Sequence, residues 1–142
     1  MKTVLITGIR GFVGSHLTEY LLESGEYEVF GFERSDGNSA NTSHIESQVK
    51  IIKCDITNFS NLLDSLKKIN PDTIFHLAAD SFVVDSWKNP SRTLQNNVVG
   101  TSNLLEAVRI ADIDPRIHIA GSSEEYGLVR PEENPVTEDN IL

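Results

Sequence analysis

The chain has 142 residues and a formal net charge of −9, from 21 acidic and 12 basic side chains. Its 39% of hydrophobic residues suffice for one domain with a core but hardly for two. The absence of a basic stripe argues against a nucleic-acid or anionic-membrane partner. The single cysteine excludes an internal disulfide, and no apolar run reaches the length of a membrane span. We therefore expect a cytoplasmic protein.

Short apolar runs alternate with amphipathic segments along the chain. The runs predict five buried strands, at residues 3–7, 27–32, 49–55, 72–79 and 116–122. Apolar side chains at helical spacing predict three helices, one from Val13 to the predicted C-cap Gly25, one from Phe59 to Ile69, and one marked by Leu94, Val98, Thr101, Leu105 and Val108. The polar residues 34–47 are predicted to form a surface loop.

This alternation predicts an α/β fold, a doubly wound parallel sheet of the Rossmann-like type with three layers, α/β/α. In such sheets the ligand crevice lies at the carboxyl ends of the strands, where the strand order reverses. The residues that follow each strand are therefore the candidates for a binding site.

Three glycines follow the first strand, in the stretch ITGIRGFVGSHL. Gly8 permits a tight turn, Gly11 lets a pyrophosphate approach the backbone, and Gly14 allows close packing of the helix. The free amides and the positive dipole end of the helix then favour a diphosphate. The spacing is G-x-x-G-x-x-G, and Glu33 stands at the end of the second strand, where a dinucleotide's ribose would lie. A tight turn without a ligand is the alternative interpretation.

Five ordered blocks carry a resemblance to a known family: TGIRGFVGSHL, CDITN, HLAADS, NNVVGTSNLLEAVR and GSSEEYG. Together they resemble the extended short-chain dehydrogenase/reductases that modify nucleotide sugars. The match is greatest to the GDP-mannose 4,6-dehydratases and the related GDP-4-keto-6-deoxymannose reductases. The resemblance implies a cofactor domain followed by a smaller sugar-nucleotide domain, with hydride transfer between nicotinamide and C4 of a hexose.

The resemblance also implies roles for individual residues. Ser122 would hydrogen-bond the sugar 4-oxygen, and Glu124 would act on the protons at C5 and C6. Asp55 would accept from the adenine amino group, beside Ile56. The implied cofactor-binding residues are Gly8, Gly11, Phe12, Val13, Gly14, Glu33, Arg34, Asp55, Ile56, Leu77, Ala78, Ala79, Ser81 and Asn97. Ser122 could instead be a simple strand-end hydrogen-bonding residue, and Glu124 a loop charge.

One feature of the family pattern is missing. The family's general base is a tyrosine in Tyr-x-x-x-Lys, whereas this chain offers only Tyr126 and Arg130 in that register. We expect the true pair beyond Leu142, so residues 1–142 are interpreted as the NAD(P)-binding N-terminal part of a longer two-domain enzyme, inactive alone.

The choice between NAD and NADP rests on two neighbouring residues with opposite preferences. The Glu33 carboxylate accepts from a ribose 2′-hydroxyl and repels a 2′-phosphate, which favours NAD. Arg34 stands where the resembling dehydratases place an arginine against that phosphate, which favours NADP. NAD is the expected cofactor, because the carboxylate repels a 2′-phosphate directly, and a solvated Glu33–Arg34 pair without any role in selectivity is the alternative.

No metal site is expected, because His16, His44, His76 and His118 have no ligand spacing with one another or with Cys54. Cys54 is interpreted as a small buried apolar side chain.

The leading function is a nucleotide-sugar 4,6-dehydratase. The alternatives are a 4-keto reductase or epimerase and, from another class, a non-catalytic dinucleotide-sensing module. A nucleotide-sugar substrate and a homodimer or tetramer are the expected partners.

Overall fold

The computed structural model describes residues 1–34 and 40–140, so part of the predicted surface loop, residues 35–39, lies outside the described residues. The strands are β1 (Lys2–Thr7), β2 (Tyr27–Glu33), β3 (Lys50–Lys53), β4 (Thr73–His76) and β5 (Arg116–Ile119). The helices are α1 (Phe12–Ser24), α2 (Phe59–Ile69), α3 (Val83–Lys88), α4 (Pro90–Leu94) and α5 (Gly100–Ala111), with a π-helical turn at Gln95–Val99 before α5.

The five strands form one sheet in the order β3-β2-β1-β4-β5, and every neighbouring pair is parallel. The chain winds outward from β1 to β3, then crosses to the other side of β1 for β4 and β5. The strand order therefore reverses between β1 and β4, which places the crevice of a doubly wound sheet at their carboxyl ends. The predicted fold class is confirmed.

Each face of the sheet is covered by its own apolar cluster. On one face Leu5 and Ile74 pack with Leu62 and Leu66 of α2 and with Leu104 of α5. On the other face the buried side chains are Val4, Ile6, Ile9, Leu21, Val29 and Val49. None of the helices in the described ranges combines the length and apolar composition that a bilayer crossing requires.

The apolar stripe predicted for the third helix does not form the buried face of that helix. Leu94, Val98 and Leu105 are 60%, 59% and 44% exposed, and only Val108 of the stripe is buried. The helix instead buries Gly100, Leu104, Ala107 and Val108. A Cβ at Gly100 would lie 2.6 Å from the Ile56 side chain, so the small residue lets the helix approach closely.

Small residues also form much of the buried face of α1. Val13 and Tyr20 of its predicted stripe are exposed, and the helix buries Gly14, Ser15 and Thr18 together with Leu21. The stripe of α2 is confirmed, because Leu62 and Leu66 are fully buried and Phe59, Leu63 and Ile69 pack against them.

The strands β3, β4 and β5 are shorter than predicted, α3 was not predicted as a helix, and α4 shares only Leu94 with the predicted third helix. β4 ends at His76, although the apolar pattern continues through Leu77 and Ala78. The Leu77 amide is shared between the carbonyl and the hydroxyl of Thr7, both at 3.2 Å, and the Ala78 amide donates to the Thr7 hydroxyl at 3.1 Å. The segment after β4 thus leaves the sheet and becomes a wall of the crevice.

Candidate functional site: a dinucleotide cleft at the strand ends

The glycine loop folds tightly between β1 and α1. Gly8 has a φ of +75°, and its carbonyl accepts from the amide of Gly11 at 2.9 Å. A Cβ at Gly14 would lie 2.3 Å from the Gly8 carbonyl oxygen and 2.9 Å from the Ile9 Cα. Glycine is therefore required at position 14 for the first turn of α1 to close onto the loop, in agreement with the role predicted for it.

The first turn of α1 offers unpaired backbone donors. Its N-cap, Gly11, has no side chain to cap the helix, and the first turn contains no acidic residue. Within the described part of the chain, the amides of Phe12, Val13 and Gly14 donate to no protein acceptor. The side chains of Phe12 and Val13 point to solvent, 74% and 60% exposed, so what these positions present is backbone. Such a helix start is suited to an anionic group.

A cavity of about 210 Å³ opens beside this loop. It brings together predicted residues from four strand ends: Gly8, Gly11, Glu33, Arg34, Asp55, Ile56, Ala78 and Ala79. Its other lining residues were not predicted: Thr7, Arg10, Phe32, Cys54, Asp80 and Asn96. Cys54 is buried as expected, and burial raises the pKa of its thiol to about 11. A neutral thiol of this kind acts as a small apolar wall.

Asp55 is already engaged by its own turn. Its Oδ1 accepts from the amide of Thr57 at 2.9 Å and from the Thr57 hydroxyl at 2.7 Å. These two bonds fix the orientation of the carboxylate at the end of the cavity. Among the described residues no donor is hydrogen-bonded to its second oxygen, and the contact with an adenine amino group stays a prediction.

Arg10 and Glu33 form an ion pair across the cleft wall. Arg10 lies between Gly8 and Gly11, and Glu33 is the last residue of β2. Both side chains are only 16% exposed. From the sequence, Arg10 is only a long charged side chain within the glycine loop. Its partner Glu33 lies 23 residues further along, so the ion pair could not be predicted.

A second cavity, of about 420 Å³, lies on the β5 side of the β4 segment. Four more predicted residues line it: Leu77, Ser81, Asn97 and Ser122. Ser122 is exposed, and its Oγ accepts from the Glu124 amide at 3.2 Å. Glu124 lies on the exposed helical turn Ser123–Tyr126 and does not line this cavity.

Asn97 holds the β4 segment by its backbone. Its Oδ1 accepts from the Asp80 amide at 2.8 Å, and its Nδ2 donates to the Asp80 carbonyl at 3.1 Å. Asn96 Nδ2 also donates to the Asn97 Oδ1, at 3.2 Å. Because both ends of the amide are occupied, Asn97 positions the wall between the two cavities. Its direct contact with a cofactor stays a prediction.

His76 links β1, β4 and the helix that begins at Gly100 through two threonines. The Thr101 hydroxyl donates to the Asn97 carbonyl at 2.7 Å, so it must accept from His76 Nε2, 2.9 Å away. The Thr7 hydroxyl accepts from two amides, so its own proton goes to His76 Nδ1 at 2.8 Å. The network therefore holds His76 neutral, with its proton on Nε2.

Burial lowers the pKa of His76, in agreement with this neutral form. As the pH falls, the unfolded chain takes up the proton before the folded chain does, so stability is lost below the ordinary histidine pKa of 6.5. We expect His76→Gln to flatten the slope of unfolding free energy against pH between pH 5 and 6.5, by up to about 1.4 kcal/mol per pH unit. Urea unfolding at several pH values measures this difference, and His118→Gln is the matched control. Identical slopes in the wild type and His76→Gln would contradict the assignment.

Tyr126, the tyrosine in the register of the Tyr-x-x-x-Lys pattern, lies outside this site. Tyr126 lines a separate surface hollow with Leu128 and Val129, away from both cavities. Among the described residues, no cluster of three or more His, Cys, Asp or Glu side chains could hold a metal ion.

Comparison with known proteins agrees with this geometry. The family model "GDP-mannose 4,6 dehydratase" matches residues 5–142. GDP-mannose 4,6-dehydratase of Yersinia enterocolitica is 41% identical over 141 residues, which cover 92% of this chain and 38% of that protein. The chain thus spans well under half the length of this relative.

Two solved structures that contain NAD have the same fold. UDP-glucose 4-epimerase from Brucella ovis matches with a TM-score of 0.77 and 29% identity, over 90% of this chain and 38% of that one. The enzyme WbmH from Bordetella bronchiseptica matches with a TM-score of 0.78 and 30% identity, over 99% of this chain and 45% of that one. The family match over almost every residue, together with the glycine loop and the cleft beside it, shows that the chain belongs to the GDP-mannose 4,6-dehydratase family.

Proposed function

We propose that residues 1–142 bind a nicotinamide dinucleotide, NAD or NADP, and form the cofactor-binding part of a nucleotide-sugar 4,6-dehydratase. The free amides at the start of α1, beside a cavity at the switch point of the sheet, carry this proposal. Phe12, Val13 and Gly14 would bind the diphosphate through their backbones. Glu33 and Arg34 would lie at the adenosine ribose, and Asp55 and Ile56 at the adenine.

The nicotinamide end would extend into the second cavity, past Leu77, Ala78 and Ala79. Small side chains at positions 78 and 79 support this, because they leave the backbone accessible. Ser81 and Ser122 both line that cavity, which supports contact of the Ser122 hydroxyl with the sugar 4-oxygen. A bound nicotinamide would supply the hydride acceptor and donor for C4 of the hexose.

Glu124 would serve as the acid or base for the dehydration itself. A carbonyl at C4 acidifies the C5 proton, so a carboxylate near the sugar can remove it. The position of Glu124, two residues after Ser122 on an exposed turn, supports this role because a substrate beside Ser122 would be within reach of that turn. The family match supports GDP-mannose or a similar nucleotide sugar as the substrate.

Other parts of the proposal concern the whole protein. We place residues 1–142 at the N-terminal side of a two-domain cytoplasmic enzyme, with a sugar-nucleotide domain still to follow. A homodimer or tetramer is supported by the run of exposed apolar side chains Leu94, Val98 and Leu105 on one side of the helical segment.

A 4-keto reductase or an epimerase is the second candidate, and the likeness to the Brucella epimerase favours it. A dehydratase recycles its cofactor within each turnover, whereas a reductase consumes one reduced dinucleotide for each product. Incubation of the protein that carries this chain with GDP-mannose and a trace of cofactor separates them. Accumulation of a 4-keto-6-deoxy sugar far beyond the amount of cofactor supports the dehydratase, and no conversion of any nucleotide sugar leaves only the dinucleotide-sensing module.

Dinucleotide binding is tested by substituting two glycines of the loop, Gly14 and Gly11. Gly14→Ala forces a methyl group into the Gly8 carbonyl, so we expect dinucleotide affinity to fall at least about tenfold and stability by about 1–3 kcal/mol. Gly11→Ala is the matched variant, because its Cβ would meet only the Gly8 oxygen, at 3.1 Å. Calorimetric titration with NAD and NADP measures both. Equal affinities in the wild type and Gly14→Ala would refute the proposed diphosphate site.

A further inference from the structure

Arg10 ties the glycine loop to the end of β2 and to the segment that follows residue 40. Its Nε donates to Glu33, its Nη1 to the Thr42 hydroxyl at 2.9 Å, and its Nη2 to Glu46 at 2.8 Å. The hydrogen bonds that Arg10 donates to Glu46 and Glu33 raise its pKa further, so the guanidinium is always charged. Arg10 also lines the cleft itself.

The charges at this edge of the cleft are therefore unlike those expected from Glu33 alone. One guanidinium stands against two carboxylates, Glu33 and Glu46, so the group carries a net charge of −1. An isolated Glu33 would repel a 2′-phosphate, but here its charge is offset by an arginine with equally low exposure, 16%. Arg34 lines the same cavity, is exposed, and forms no ion pair with any described residue.

We propose that Arg10 determines selectivity at the adenosine 2′ position, and that its ion pair with Glu33 lets the cleft accept NADP as well as NAD. This inference rests on the proposed dinucleotide site. Without Arg10, the same edge would carry two unpaired carboxylates. A 2′-phosphate, with close to two negative charges at neutral pH, would be repelled more strongly than a 2′-hydroxyl.

A purely structural role for Arg10 makes a different prediction. Asn41 Nδ2 donates to the Arg10 carbonyl at 3.1 Å, and the side chain holds Thr42 and Glu46, so Arg10 also braces the segment after residue 40. Loss of that brace alone would weaken NAD and NADP to the same extent, because the two differ only in the 2′-phosphate. The ratio of their dissociation constants therefore isolates the charge effect.

The experiment is calorimetric titration of the purified protein with NAD and with NADP. In Arg10→Met we expect the ratio of the NADP to the NAD dissociation constant to rise about tenfold over wild type. The double variant Arg10→Met with Glu33→Gln should return to within about threefold of the wild-type ratio, because no carboxylate is then left at position 33. Arg10→Lys keeps the charge and should keep the ratio, even where both affinities fall.

An unchanged ratio in Arg10→Met, or a tenfold rise that Glu33→Gln fails to reverse, would overturn the inference. Glu33→Gln alone tests it independently of how Arg10→Met folds. Since Arg10 already offsets the carboxylate, this variant should shift the ratio by less than about threefold. A tenfold shift toward NADP would overturn the inference. If the wild type binds neither nucleotide, the proposed function fails as well, whereas binding with an unmoved ratio overturns only the role of Arg10.

Discussion

Replacing Glu124 by glutamine is expected to lower the rate of nucleotide-sugar dehydration about 10²–10⁴-fold, the usual contribution of a positioned acid or base. Glutamine has nearly the same shape but cannot take the C5 proton. Oxidation at C4 does not need this carboxylate, so binding of NAD or NADP and of the sugar nucleotide should stay within about threefold of wild type. Nuclear magnetic resonance of the products from GDP-mannose in deuterated water follows both the loss of water and the exchange at C5.

The neighbouring carboxylate supplies the control. Glu124 and Glu125 share the exposed turn Ser123–Tyr126 and carry the same charge. Glu125→Gln should leave dehydration within about threefold of wild type, since the two side chains point in different directions from a short helical turn. Equal losses in both variants would indicate a general charge effect, and full dehydration activity in Glu124→Gln would show that a group other than Glu124 removes the C5 proton.

The fold was predictable because its signals are local. Alternating apolar runs and amphipathic segments predict parallel strands with helical crossovers, and the handedness of those crossovers then limits the sheet order. The ends of the strands were less predictable. The apolar pattern runs on through Leu77 and Ala78, but their amides bond to Thr7, which lies 70 and 71 positions earlier in the sequence. A pattern read along the chain does not contain that contact.

In the candidate site, too, features set by local sequence were predictable and features set by distant contacts were not. The glycine loop could be recognised because each glycine answers a requirement of its immediate backbone, such as the φ of +75° at Gly8. Arg10 and His76 could not, since their roles depend on partners brought together by the fold. Glu46 lies 36 residues from Arg10, and Thr7 lies 69 from His76. Sequence alone presents these residues as a surface charge and a strand histidine.

Leu104 and Leu105 are adjacent leucines, one buried and one exposed, and their truncation is expected to lower stability by very different amounts. Leu104 is fully buried in the cluster between the sheet, α2 and α5, whereas Leu105 is 44% exposed. Leu104→Ala should lower the free energy of unfolding by about 2–5 kcal/mol, through lost apolar burial and the cavity that remains. Leu105→Ala should cost less than about 1 kcal/mol. Urea denaturation of both variants measures the difference.

The comparison decides which rule identifies the buried face of this helix. If large apolar side chains at helical spacing marked it, Leu105 would be the core residue and its truncation the costly one. The structure instead buries the face that carries Gly100 and Ala107, because small residues let the helix lie close to Ile56 and α2. Equal costs for the two leucines at the concentrations of the experiment would mean that Leu105 is covered by a second molecule. A dilution series would then separate that contact, whose contribution falls with concentration, from the buried position of Leu104.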